Sequence, residues 1–445
     1  MKGARIMSFY LPGIHVPHRK NTAKSLAVRI APPKTVTIPM VMHIGKPAVP
    51  TVKVGDLVKV GTKIGEADGY ISSNVYSSVS GKVVKLIDLL QSNGTYATAV
   101  VIESDGEMTA DEAITAPVVN NREELVAALK QSGIVGLGGA GFPTQVKFDV
   151  DPESIEYLVI NGAECEPYVT SDTLTMLTRE DDMAYALREL NRCLGIKKVV
   201  VGIENNKKEA IANMNKMAAS INECSVTVKS LPNLYPQGGE KVLVYHTTGR
   251  KIGINKLPIS VGCVVINCTT LASIGAFLKT GMPLVEKCVT VDGGAVSKPQ
   301  NLIAPIGTSI EDLFENCGGL KCEPAKIIYG GPMMGITVPD ADAPVIKNTN
   351  AVLALTEKEA QLPKTTACIR CGACINTCPF GLAPAAIARA YDKKDVEMLK
   401  ALSVDACMEC GCCSFVCPAN RPLVQKNKLS KQLLREEKMK GENKS

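Results

Sequence analysis

A multidomain fold, α/β plus β with a cysteine-rich module at its end, is what this sequence predicts, and three observations carry the expectation. The chain has 445 residues, too many for one hydrophobic core, so about three domains are expected. Its apolar pattern changes along the chain, from strict alternation to strand and helix runs in turn. Eight of its 17 cysteines fall into two identical spacings near the C-terminus.

Composition narrows the class. Hydrophobic residues make up 45% and charged ones 21%, ordinary for a folded soluble protein. Aromatics are scarce and Trp is absent, so stacking platforms for nucleic acid are not expected and no nucleic-acid partner is. No signal peptide is expected at the start of the chain. The most apolar stretch, Val261 to Leu278, is interrupted by Asn267, Thr269, Thr270 and Ser273. It reads as buried core, and the chain is expected to have no membrane span. An odd cysteine total and clustered spacing argue against a disulfide framework and for metal in a reducing compartment.

Taken in order, residues 1–34 form an N-terminal extension without strong periodicity, containing the run Pro12 to Lys20 (PGIHVPHRK). Residues 35–110 are β-rich. The run Val52 to Gly65 alternates apolar and polar residues with Gly at turns, and Ser80 to Val84 repeats that style. This segment resembles the barrel-sandwich hybrid of lipoyl and biotinyl carriers. Its hairpin tip, Asp68 to Asn74, has no Lys to modify, so it reads as structural. Residues 111–280 alternate: helix Arg122 to Lys130, strand Ile155 to Ile160, helix Asp172 to Asn191, strand Lys197 to Ile203, helix Lys207 to Asn222 and strand Ser225 to Lys229. Such alternation implies an α/β layer on a largely parallel sheet. Residues 281–340 return to β patterning, 341–364 read as a linker, and 365–425 hold the cysteine module. The tail, 426–445, is basic: residues 420–445 carry eight Lys or Arg and three Glu. A solvated helix, or a segment docking on an acidic partner or anionic membrane, would suit it.

The cysteine runs are Cys368-x2-Cys371-x2-Cys374-x3-Cys378-Pro379 and Cys407-x2-Cys410-x2-Cys413-x3-Cys417-Pro418. Three thiolates at this spacing bind three corners of a [4Fe–4S] cubane, and the fourth, before Pro, serves the other cluster. The expected sets are Cys368, Cys371, Cys374 and Cys417, and Cys407, Cys410, Cys413 and Cys378. Zinc, bound through C-x2-C pairs closing on four ligands, explains two such complete runs poorly. The stretch between them reads as helix-rich (Ala385 to Leu402), which resembles the helical dicluster ferredoxins. Cys412 is an extra thiol inside the second loop.

Gly136-Leu-Gly138-Gly139-Ala-Gly141 matches G-x-G-x-x-G, but a helical run precedes it and Pro143 follows, so as a dinucleotide fingerprint it is weak. A plain turn is one reading; a bare backbone that admits a phosphate or a flat ring is the other. The stretch GLGGAGFPTQVKF (136–148) resembles the flavin loop of the NADH-binding flavoprotein subunit of respiratory complex I. Asn161 to Pro167 (NGAECEP), Tyr235 to Glu240 (YPQGGE) and Asn267 to Thr270 (NCTT) follow in the same order. The resemblance implies that Gly136, Gly138, Gly139, Lys147, Asn161, Glu164, Gly238, Asn267 and Thr270 contact FMN, with Lys147 at its phosphate, and that Phe142, Glu166 and Glu240 contact NADH. Gly239 departs from the complex I pattern, which carries a second Glu there.

The order of modules, with a β-grasp-like SLBB segment at 281–340, resembles the C subunit of the Rnf complex. The runs GIHVPHRKN (13–21) and PMVMHIGKPA (39–48) resemble it too. That likeness implies electron transfer between NAD(H), FMN and two [4Fe–4S] clusters, in a ferredoxin:NAD+ oxidoreductase that moves Na+ or H+. It further implies other Rnf membrane and iron–sulfur subunits as partners, ferredoxin indirectly, and a peripheral place on the cytoplasmic face of the cell membrane. A soluble reductase serving cobalamin or proline reductase would share the parts, and a cluster scaffold with an empty glycine loop would share the cysteines.

Overall fold

The computed structural model describes residues 10–442. The first nine residues of the N-terminal extension and the last three of the basic tail lie outside them.

Alternation in the early β-rich segment produces two small facing sheets. One pairs Thr35–Pro39, Tyr96–Ser104, Gly81–Leu90 and Leu57–Val58 in that order; the other pairs Val49–Pro50, Lys63–Glu66 and Val75–Tyr76. Every pairing is antiparallel. Val36, Ile38, Ile64, Val75, Val83, Val100 and Ile102 point inward and are fully buried, as period-2 patterning requires. At Gly81 the two sheet strands approach so closely that a Cβ would stand 2.0 Å from the Glu103 carbonyl oxygen.

The α/β layer is a four-stranded sheet in the order Ser225–Leu231, Lys198–Glu204, Tyr157–Asn161, Cys263–Asn267, parallel throughout. Its helices include Ser171–Thr178, Glu180–Leu194, Lys208–Ala219, Glu240–Thr248 and Cys268–Thr280. The single helix expected over Asp172 to Asn191 is two. It breaks at Arg179, whose guanidinium turns to Asp182 and to the Ala272 carbonyl. Glu180, Asp181 and Asp182 then open a new helix, where acidic side chains favour the N-terminal dipole. Gly275 lets Cys268–Thr280 press against that second helix, since a Cβ there would lie 1.9 Å from the Asp182 carbonyl oxygen. The largest apolar core runs continuously from this layer into the barrel-sandwich sheets.

The third unit is a six-stranded mixed sheet in the order Ala27–Arg29, Gln300–Pro305, Glu286–Asp292, Ala351–Leu355, Lys326–Tyr329, Ile336–Thr337. Two expectations are corrected here. The N-terminal extension supplies an edge strand, Ala27–Arg29, parallel to Asn301–Ile303. The segment 341–364 is no linker, because Ala351–Leu355 is an interior strand with all five residues buried. Five consecutive apolar residues are the mark of a strand covered on both faces.

The cysteine module consists of short helices, Ala373–Asn376, Pro384–Asp392, Val396–Ala401 and Cys412–Phe415, closed by Leu423–Glu442. The expected helix-rich insert is two helices, with Lys394 at φ +56° between them and Asp395 capping the second through the Met398 amide. The tail is not separate from the module at 426. Asn427 and Ser430 are buried, Asn427 Nδ2 lies 3.4 Å from Cys407 Sγ, and Lys431 bonds the Cys407 carbonyl and Glu409. Among the described residues, no helix is long and apolar enough to cross a membrane.

Candidate functional site: a glycine-lined crevice and two thiol sets

Strand order in the parallel sheet reverses between Tyr157–Asn161 and Cys263–Asn267, since the chain builds outward to Ser225–Leu231 before returning to the other side. Open α/β sheets bind ligands beyond the strand carboxyl ends at such a switch point. Asn161 and Asn267 are the last residues of these strands and sit opposite one another in the register. Asn267 Oδ1 caps helix Cys268–Thr280 by accepting the Thr269 and Thr270 amides, and its Nδ2 donates to Asp172 at 2.8 Å. Asn161 Nδ2 donates to the Gly238 carbonyl at 2.9 Å.

The glycine loop is laid over this crevice. Gly136 N donates to Phe142 O and Leu137 N to Thr270 Oγ1, both near 3 Å. Gly138 faces Asn267 with no room for a Cβ, which would lie 2.4 Å from Nδ2, whereas Gly139 faces open space. The amides of Gly138, Gly139 and Ala140 find no acceptor among the described residues. Successive free N–H groups on a bare backbone beside a helix N-terminus suit an anionic or electron-rich ring ligand. Asn348, from the segment after the third sheet's Ile336–Thr337, steadies the loop through the Gly139 carbonyl at 2.9 Å.

Other sequence-nominated residues have different occupations. Glu164 is buried and accepts from Asp172 N and Thr173 Oγ1, so it supports helix Ser171–Thr178; burial raises its pKa. Lys147 donates to the Val265 carbonyl at 2.8 Å, and burial lowers its pKa. Val265 lies in the sheet's edge strand, whose outward carbonyls need donors, and Lys147 supplies one there. Glu166 is engaged likewise. Its two oxygens accept the Met333 and Met334 amides at 3.0 and 2.9 Å, which ties it to the loop Gly330–Gly335 of the third sheet. Desolvation pushes its pKa up to about 7. Of the three nominated nucleotide contacts, the half-buried Phe142 and the exposed Glu240, first residue of Glu240–Thr248, remain free to meet a ligand.

The cysteines separate into two cavities. Cys368, Cys371, Cys374 and Cys417 line one; Cys378, Cys407, Cys410 and Cys413 line the other, with Cys412 beside them. Cys368 and Cys371 are exposed, while Cys410 and Cys413 are buried. Among the described residues no three His, Cys, Asp or Glu side chains converge as one metal ion would require. A cubane spreads its four thiolates over separate irons, so this donor set fits a cluster better than zinc. The buried set abuts the α/β layer. Met408 fills the space beside Gly239, where a Cβ would be 2.2 Å from its Cε. A larger side chain at 239 would have to displace it.

Sequence reasoning missed Asp172, which joins Asn267 and Thr269, and Lys20. The Lys20 ammonium bonds the carbonyls of Glu164, Glu166 and Val169 and is 3.8 Å from the Glu164 carboxylate. Its place in the run PGIHVPHRK was the available signal.

Four family models match the chain: an RnfC barrel sandwich hybrid domain over residues 9–107, a Nuo51 FMN-binding domain over 129–276, an SLBB domain over 288–337 and a 4Fe-4S dicluster domain over 362–420. The C subunit of the proton-translocating ferredoxin:NAD(+) oxidoreductase complex of Clostridium ljungdahlii is 40% identical over 84% of this chain and 82% of its own length. The C subunit of the Na(+)-translocating complex of Acetobacterium woodii is 39% identical over 86% and 87%. Its counterpart in the ion-translocating oxidoreductase complex of Rhodobacter capsulatus is 37% identical over 95% and 83%.

Proposed function

The chain belongs to the family of C subunits of ion-translocating ferredoxin:NAD+ oxidoreductase (Rnf) complexes, and from that premise we propose that it carries electrons between NAD(H), FMN and two [4Fe–4S] clusters within such a complex. One observation carries the reading. A crevice lined by free amides at the sheet's switch point shares the loop Tyr235–Glu240 with a set of four thiols packed against it.

FMN, when bound, supplies the exchange between two-electron and one-electron chemistry. Gly136, Gly138, Gly139, Asn161, Gly238, Asn267 and Thr270 form its seat, with Asp172 and Glu164 holding that seat in shape. Phe142 and Glu240 flank the mouth where a nicotinamide nucleotide would enter. Lys147, Glu166 and Lys20 support from behind. Cys378, Cys407, Cys410 and Cys413 hold the inner cluster against the α/β layer; Cys368, Cys371, Cys374 and Cys417 hold the outer one, whose exposed edge faces partner subunits. Those partners include iron–sulfur subunits and, through them, ferredoxin, with the chain peripheral on the cytoplasmic face.

The test is anaerobic. The purified chain should carry about eight iron and releasable FMN, and NADH should bleach the flavin and then generate a reduced-cluster signal. Iron and flavin present with no response to NADH would refute the nucleotide assignment alone. An absence of flavin after reconstitution would refute the crevice.

A further inference from the structure

Tyr235 is a phenol with an unusual address. It is 2% exposed, and its hydroxyl donates to the backbone carbonyl of Cys410 at 2.7 Å. Its backbone is held from the opposite side by Ile14, with both amide bonds of the bridge at 2.8 Å. Gly13 makes that approach possible, since a Cβ there would lie 2.5 Å from the Tyr235 carbonyl oxygen. The same loop ends at Gly238, bonded to Asn161, and at Gly239, against Met408. Met333 completes the enclosure. Its amide is fixed by Glu166, and its carbonyl lies 3.1 Å from where a Gly411 Cβ would be. Tyr235, Ile14, Cys410 and Cys412 form one apolar cluster with Met333 and Met408 packed on it.

We propose that Tyr235 is a positioning residue for the inner cluster: its hydroxyl, with the notch at Gly239, seats the loop Cys407–Cys413 on the loop that borders the flavin crevice. This rests on the assignment of Cys378, Cys407, Cys410 and Cys413 as one ligand set. A buried hydroxyl dipole aimed at the ligand loop stabilises added negative charge on the cluster, and outer-shell bonds of this kind tune cluster potential. Removing it leaves a buried carbonyl without its donor.

The experiment uses the full chain, purified anaerobically, as wild type, Tyr235→Phe and Tyr329→Phe. Tyr329 is a comparison phenol whose hydroxyl serves the Pro344 carbonyl in the third sheet. Iron content, flavin content and spectroscopically resolved redox titrations of both clusters are measured. Tyr235→Phe is expected to retain both cofactors and to move the midpoint of one cluster to more negative potential. The other cluster stays in place, and Tyr329→Phe moves neither. Unchanged midpoints and line shapes in a folded Tyr235→Phe protein would overturn the proposal. Should that variant fail to fold, 3-fluorotyrosine at 235, a stronger donor of the same shape, should move the same cluster the opposite way; no movement overturns it. Wild type with only about four iron would remove the ligand assignment itself, an outcome distinct from eight iron with an unmoved potential.

Discussion

Two neighbouring glycines of the crevice should fail in different ways when each gains one methyl group. At Gly138 the methyl would come within 2.4 Å of Asn267 Nδ2 and 2.8 Å of its Cγ. Asn267 cannot swing aside cheaply, because it caps a helix through two amides and donates to Asp172. Losing the cap costs about 1 kcal/mol, and forcing the overlap costs about 1–3 kcal/mol, together about 2–4 kcal/mol. For a domain of this size the melting temperature should fall by roughly 5–15 °C. At Gly139 the methyl meets nothing within 4 Å, so Gly139→Ala should melt like wild type. Its cost should appear only with ligand, as a methyl standing between the free amides and the ring, a loss of about tenfold or more in FMN affinity, equivalent to about 1.4 kcal/mol. Thermal melts of the apoproteins and flavin fluorescence titrations separate the two quantities. Wild-type FMN affinity in Gly139→Ala would show that the flavin does not lie on this loop. Wild-type stability in Gly138→Ala would show that Asn267 is not fixed as described.

Cys378→Ala should remove about half of the iron, and the surviving cluster signal should be that of the Cys368 side; loss on that side instead would refute the exchanged fourth ligand. Glu166 holds its proton to about pH 7 when folded against 4.5 ordinarily, so the folded chain binds more protons than the unfolded one in that window. Its contribution to stability should therefore fall as pH rises from about 4.5 to about 7, and Glu166→Gln should lose that component of the slope in melting curves; an identical slope would show that Glu166 is not desolvated. His43 shows the opposite sign. Burial pulls its pKa to about 4 from 6.5, so its contribution is lost as pH falls from about 6.5 towards 4, and melts of His43→Gln over that range should lack that component of the wild-type slope; an unchanged slope would show that His43 is not desolvated.

Residue order by itself determined much. Two C-x2-C-x2-C-x3-C-P runs state their chemistry locally, because each wraps most of a cluster within a dozen residues. Period-2 and helical patterning announced the barrel sandwich and the parallel sheet, since burial imposes those periods wherever one face meets a core. The glycine loop stood out because it is continuous in sequence. What only the tertiary structure decided is where long-range partners stand. Glu166 was open to a nucleotide until the Met333 and Met334 amides, 167 and 168 residues away, were brought to it. Lys147 was a free charge until the edge strand placed the Val265 carbonyl, 118 residues on, within its reach. Ala351–Leu355 looked like connection until its register between two other strands was known. Buried carboxylates, ammonium groups and strand edges must find a bonding partner or forfeit solvation, and which partner they find is settled by chain folding over distances that no local pattern encodes.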